Sequence, residues 1–265
     1  MMFNALLAPF NDPLFHLPLV TGLLLAGVLP VIGTVLMLRD EWLAALGLAH
    51  LAAAGALLGH AVGLPGLIGA TLGALGGGVY KTAAQARGNV AYGMMILCGW
   101  SATLLIAANS ALGEQLAHAL AEGQLYFAGA GELTATLLLL IVVFWTLPHL
   151  MPHLLRSRFF PRCEHANALP AWQWHFGFDL LAAASLAVAT VTLGLMSAFA
   201  LALIPAWIAF QHAPSWRWTL IGAAGGGVLS YLIAFATALH FDQPFGPVLV
   251  AVLIAAALLF KFHRD

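Results

Sequence analysis

Charge is what this chain has least of. Only 7% of its 265 residues are Asp, Glu, Lys or Arg, against roughly a quarter in a soluble domain. With 62% of the residues hydrophobic, a soluble fold of this length cannot hide its apolar surface, so lipid must be the solvent for part of it. Cysteine is scarce too. The two present, Cys98 and Cys163, are too few for a disulfide framework. The net charge of −1 carries no electrostatic footprint for nucleic acid. No Gly-x-x-x-x-Gly-Lys-Ser/Thr sequence occurs, which excludes ATP binding through a P-loop. There is no Gly-x-Ser-x-Gly, no His-Glu-x-x-His and no acidic pair within an apolar stretch. The usual hydrolase and intramembrane-protease constellations are therefore missing. The N-terminal residues lack the basic n-region of a cleaved signal peptide.

What is present is a spaced set of nine Lys and Arg residues: Arg39, Lys81, Arg87, Arg156, Arg158, Arg162, Arg217, Lys261 and Arg264. Each apolar stretch between these clusters is long enough to cross a bilayer out and back. All nine charges then fall on one side, and basic loops mark the cytoplasmic face. Backbone groups in lipid must bond within their own segment, and the Leu/Ala/Val runs favour helices over a barrel. The expectation is an all-α, polytopic helical membrane protein, a single transmembrane domain over 1–265. About nine crossings are expected, near 17–38, 42–62, 65–80, 88–109, 131–150, 175–193, 196–211, 218–240 and 246–260. The N-terminus is placed outside and the C-terminus inside. Asp12, Glu114, Glu122 and Asp242 fall on the outer side.

Gly69, Gly73 and Gly77 recur every four residues, and Gly222 and Gly226 repeat the spacing. In a membrane that spacing lets helix backbones approach closely. With so few charges, the histidines are the residues to question. His50 lies within the second crossing and His60 near its outer end. An ionisable or ligating side chain in hydrocarbon usually faces a cavity or a partner. The bland alternative is a ring satisfied by a helix carbonyl. Ten positions apart, the two do not share a helix face. Glu114, His118 and Glu122 fall at i, i+4 and i+8, on one face of a short outer helix. That face is either a weak divalent-cation site or simply solvated. The inner segment and its flanks hold His149, His153, Cys163, His165 and His175. Pro152 and Pro161 are expected to interrupt helix there. A metal-receiving role competes with docking of a soluble partner on 156–170, and docking is the stronger expectation.

The C-terminal third carries the most specific motifs. The run from Gly194 through Leu-Met-Ser-Ala-Phe-Ala-Leu-Ala-Leu-Ile to Pro205-Ala206 resembles a signature of bacterial metal-uptake ABC permeases of the zinc/manganese/iron class. Asp242-Gln-Pro244-Phe-Gly246-Pro247, opening the last helix, resembles that family's Asp-x-Pro-x-Gly-Pro-like turn. Gly93-Met-Met, Tyr126-Phe-Ala-Gly129 and Leu48-Ala49-His50 are weaker matches, in the same order along the chain. The resemblance implies an ABC importer permease fold and a homodimer that forms the translocation path. It implies a separate ABC ATPase subunit on the cytoplasmic face and a periplasmic or lipid-anchored binding protein outside. Residues 156–170 fall at the family's coupling helix, with Arg162 beside Glu164, His165 and Ala166 at its acidic-x-Ala core. The family typically has Gly-Asp-x-x-x-His on the second helix. His50 is retained here, while Leu46 stands where Asp is usual. Asn89 replaces a common acid on the fourth helix.

A path with fewer carboxylates handicaps hard ions such as manganese more than zinc. The resulting expectation is a permease, not itself an enzyme, in a bacterial inner membrane. It binds no cofactor and moves a divalent metal, zinc first, by alternating access. His50 and His60 are the path candidates, and Glu114 and His118 the outer-face candidates. A permease for a metal chelate, or for manganese or iron, is the alternative within transport. A non-transporting membrane protein or an intramembrane enzyme is the alternative outside it.

Overall fold

The computed structural model describes residues 13–85, 88–110, 113–160 and 171–262. These residues form ten α-helices. They are α1 Pro13–Leu38, α2 Trp42–Ala61, α3 Gly66–Ala83, α4 Asn89–Ala108, α5 Gly113–Glu122, α6 Ala130–Phe159, α7 Ala171–Leu193, α8 Leu195–His212, α9 Trp216–His240 and α10 Phe245–Phe262. One 3-10 turn, Leu125–Phe127, precedes α6. Every expected crossing coincides with a helix. Seven of the helices are long and apolar enough to span a membrane: α1, α2, α4, α6, α7, α8 and α9. The glycine-rich α3 and the shorter apolar α10 fall outside that set, so among the described residues length and apolarity support seven of the nine expected crossings.

Two further expectations need correction. Pro152 does not break the inner segment, because α6 continues through Pro148 and Pro152 to Phe159. Neighbouring helices can satisfy the carbonyls a proline frees. The chain outside 131–150 is therefore helical for another two and a half turns, and Arg156 and Arg158 lie on α6. Arg39 and Lys81 were assigned to basic loops, but their side chains are buried, with 5% and 3% exposure.

Glycine sets how closely the helices approach. On α2, Gly55 and Gly59 face Gly69 and Gly73 of α3, and Gly69 packs on the Gly55 carbonyl. A Cβ at these positions would enter the opposite backbone, so the expected small-residue seam is a real α2–α3 contact. In the second seam, Gly222 and Gly226 pack against Ala209 and Pro205 of α8. Gly227 packs against the Ala26 carbonyl and the Pro30 ring of α1. Pro30 has no N–H, so the Ala26 carbonyl lacks its helical partner and lies bare for this approach.

Gly194 and Gly246 share one task. Gly194, at φ 91° between α7 and α8, packs against Gly123, at φ 90° just after α5. Gly246 packs on the carbonyl of Glu122. Together they seat the end of α5 against the starts of α8 and α10. Pro205 lies within α8, and Ala206 is fully buried. Asp242, at φ 52°, takes the left-handed turn after α9, and the Gln243 N–H reaches back 2.9 Å to the Ala238 carbonyl. That turn aims the Pro244–Pro247 segment into α10. Near it Tyr126 packs against Phe235 and Phe245. Burial, and then the Asp242 carboxylate, push its phenol up to about 12, so it stays neutral.

Gly194→Ala should lower stability by at least about 2 kcal/mol, because it adds a Cβ both at a glycine-only dihedral and against the Gly123 backbone. Gly76→Ala meets nothing within 4 Å and should leave the melting temperature in detergent unchanged or slightly raised.

Candidate functional site

The turn joining α1 to α2 builds the polar centre of the molecule. Asp40, at φ 60°, occupies the left-handed position after α1. The Glu41 N–H closes the turn on the Leu36 carbonyl at 2.8 Å. This is the geometry that ends a helix with a left-handed residue. It turns both Arg39 and Glu41 into the protein. Lys81 arrives from the last turn of α3 and Asp179 from the third turn of α7.

The four side chains close a ring. Arg39 Nη2 bonds Glu41 Oε2 at 2.9 Å, and Arg39 Nη1 bonds Asp179 Oδ1 at 2.9 Å. Lys81 Nζ bonds Glu41 Oε2 and Asp179 Oδ1, each at 2.7 Å. Every cation thus touches both acids. Thr82 Oγ1 lies 3.3 Å from Asp179 Oδ2. The Arg39 guanidinium sits 5.1 Å over the Phe178 ring, and the Lys81 ammonium 5.8 Å over Tyr92. None of the four side chains is more than 8% exposed. A lone charge here would be prohibitive, but two of each sign with short bonds form a neutral unit. Beside the ring lies a cavity of about 290 Å³ lined by Arg39, Lys81, Thr82, Gln85, Trp172, His175 and Asp179. His175 Nε2 is 2.9 Å from Ser157 Oγ of α6.

Reading charges one at a time misses this ring. The available signal was Asp179, the single acid inside the apolar run 175–193. Such a residue needs a cationic partner from another helix.

His50 is buried on α2, at 4% exposure. Its Nδ1 is 2.9 Å from the Leu46 carbonyl. A carbonyl only accepts, so Nδ1 donates, and in the neutral ring Nε2 keeps the lone pair that binds a metal. Trp100 of α4 meets the ring edge-on at 6.0 Å, and Gly99 packs against the His50 backbone. Leu46 packs with Leu195 and Leu120 in a small apolar cluster around Ala49 and Ala53. The position where a carboxylate is usual is thus taken up by packing against α5 and α8.

The other candidates are dispersed. His60 is exposed at the end of α2, its ring over Gly66. Glu114, His118 and Glu122 are exposed on α5. His149 Nδ1 bonds the Trp145 carbonyl of its own helix at 2.7 Å, and His153 stacks on Trp174 at 3.8 Å. Among the described residues, no group of three or more His, Cys, Asp or Glu side chains converges as a metal site. Arg162, Cys163, Glu164, His165 and Ala166 lie outside the described residues.

Long apolar helices, a buried neutral ring of charges and a buried histidine within an apolar helix define a polytopic helical membrane protein. The model of the ABC 3 transport family matches residues 12–264, and the chain belongs to that family. It is the membrane-spanning subunit of an ABC transporter. The fold is similar to that of PsaBC from Streptococcus pneumoniae, solved in complex with Fab. The TM-score is 0.85 at 17% identity, over 98% of this chain and 95% of that one. It is also similar to an inward-facing conformation of a putative metal-chelate type ABC transporter. There the TM-score is 0.73 at 12% identity, over 93% of this chain and 85% of that one. A comparison with curated protein sequences gives no match.

Lys81→Met removes one cation and leaves two carboxylates sharing Arg39. It should destabilise the protein by about 3–5 kcal/mol. Lys261→Met, at the exposed end of α10, should change little. Thermal unfolding of the two detergent-purified variants checks the contrast.

Proposed function

We propose that the chain is the permease subunit of an ATP-driven metal importer with zinc as its leading substrate. The observation that carries this reading is His50. Its ring is fixed by the Leu46 carbonyl and buried on α2, in a chain whose family is a transport family. A fixed Nδ1–H leaves Nε2 as a borderline-soft nitrogen ligand, which suits zinc better than manganese. Few ligands and little charge let an ion leave as readily as it enters.

The remaining parts follow the family's division of labour. An ATPase subunit docks at the cytoplasmic side on 156–170, through Arg162, Glu164, His165 and Ala166. A periplasmic or lipid-anchored binding protein delivers the metal outside, near His60 and the Glu114/His118 face of α5. The N-terminus lies outside and the C-terminus inside, in a bacterial inner membrane. Two copies of the chain form the path, and the broadly exposed apolar faces of α4 and α6 leave room for a second copy beside lipid. A metal chelate is the second reading. The apolar packing of Leu46, where a carboxylate is usual, favours cargo whose charge is already offset.

His50→Ala should lower zinc uptake into proteoliposomes holding the permease and its ATPase, supplied with the binding protein, by about tenfold or more. The protein should remain in the membrane, since the histidine closes no bond beyond its own helix. Undiminished uptake would assign His50 to structure alone. Arg162→Ala with Glu164→Ala should weaken co-purification of the ATPase subunit, and unchanged co-purification would remove 156–170 as its docking site.

A further inference from the structure

Opening the ring at Asp179 leaves Arg39 and Lys81 sharing one acid, an excess positive charge that water in the adjoining cavity must offset. Each cation bonds both acids, so withdrawal of Asp179 leaves Arg39 and Lys81 still paired with Glu41. In the closed ring the second oxygen of Asp179, Oδ2, lies 3.3 Å from Thr82 Oγ1. Asp179 also lines the adjoining cavity of about 290 Å³, which has room for water beside Thr82, Gln85 and His175. A buried ion pair is no strong stabiliser, because apolar residues of similar volume often do as well. Its placement is informative. Asp179 lies eight residues into α7, about 12 Å from the start of that helix, which follows directly on 161–170. Glu41 immediately precedes α2, and His50 lies nine residues further on, about 14 Å away. Lys81 ends α3, which packs on both α2 and α7.

We propose that the Arg39–Glu41–Lys81–Asp179 ring is the joint that transmits movement of α7 to α2, with Asp179 as a positioning residue for transport. Small shifts of packed helices are enough to exchange such contacts. When α7 moves, the Asp179 bonds exchange for water in the cavity while the Glu41 bonds hold α2 and α3 together. The direction of drive rests on the reading above, in which the ATPase docks on the chain between α6 and α7.

The test compares three proteins in proteoliposomes with the ATPase subunit and the metal-binding protein: wild type, Asp179→Asn, and Lys81→Met combined with Asp179→Leu. The double variant removes one charge of each sign and leaves Arg39 paired with Glu41. Zinc uptake and ATP hydrolysis are read together, with melting temperature and ATPase co-purification as controls. Asp179→Asn is expected to lower uptake per ATP hydrolysed by about tenfold. The double variant should match the wild-type melting temperature and ATPase binding and still show the lowered ratio. A wild-type ratio in either variant would overturn the proposal. Loss of the double variant from the membrane would also overturn it, because the ring would then be a requirement for folding. Wild-type protein that neither binds the ATPase nor moves zinc would instead refute the functional reading beneath it.

Discussion

The structure depends on keeping four charges neutral in a place where water is scarce. Arg39, Glu41, Lys81 and Asp179 come from the α1–α2 turn, α3 and α7, and the cluster is neutral only while all four stay in position. In a low-dielectric setting that mutual dependence is a geometric constraint on three segments. It explains why the turn needs Asp40 in a left-handed conformation, and why Lys81 can sit buried at the end of a helix. α4 and α10 contribute no side chain to the ring and present apolar surface outward.

The rest of the architecture is fixed by contacts with little side-chain content. Hydrocarbon gives no hydrophobic drive between helices, so close backbone approach carries the packing. The α2–α3 seam through Gly55, Gly59, Gly69 and Gly73 is one case. The grip of Gly194 and Gly246 on the Glu122–Gly123 backbone is another. The second grip gives a physical reason for the family's C-terminal motifs. They hold the end of α5 between α8 and α10, and among their residues Gly194, Ala206 and Gly246 contribute packing rather than ligands.

Much of this was legible in the sequence. Apolar runs and their boundaries located the helices, because a lipid-facing segment must be long, apolar and internally bonded. Glycine spacing located the seams, but not the added contact of Gly227, which depends on the carbonyl that Pro30 leaves bare on another helix. The continuation of α6 through Pro152 was not legible, since tertiary neighbours decide whether a proline ends a helix. The ring was not legible either. Arg39 and Lys81 look like loop charges until Asp179 is placed opposite them, and a sequence alone does not pair residues 98 and 140 positions apart. For the candidate site, His50 stood out as an ionisable residue within an apolar run. What its sequence context could not give was the bond to the Leu46 carbonyl, which selects the nitrogen left for a ligand.

The central claim is that this chain carries metal across the membrane. The direct measurement is uptake of radiolabelled zinc, manganese and iron by metal-starved cells with and without the chain. The account predicts selective loss of zinc uptake, restored when the chain is returned. Unchanged uptake of all three ions would contradict it.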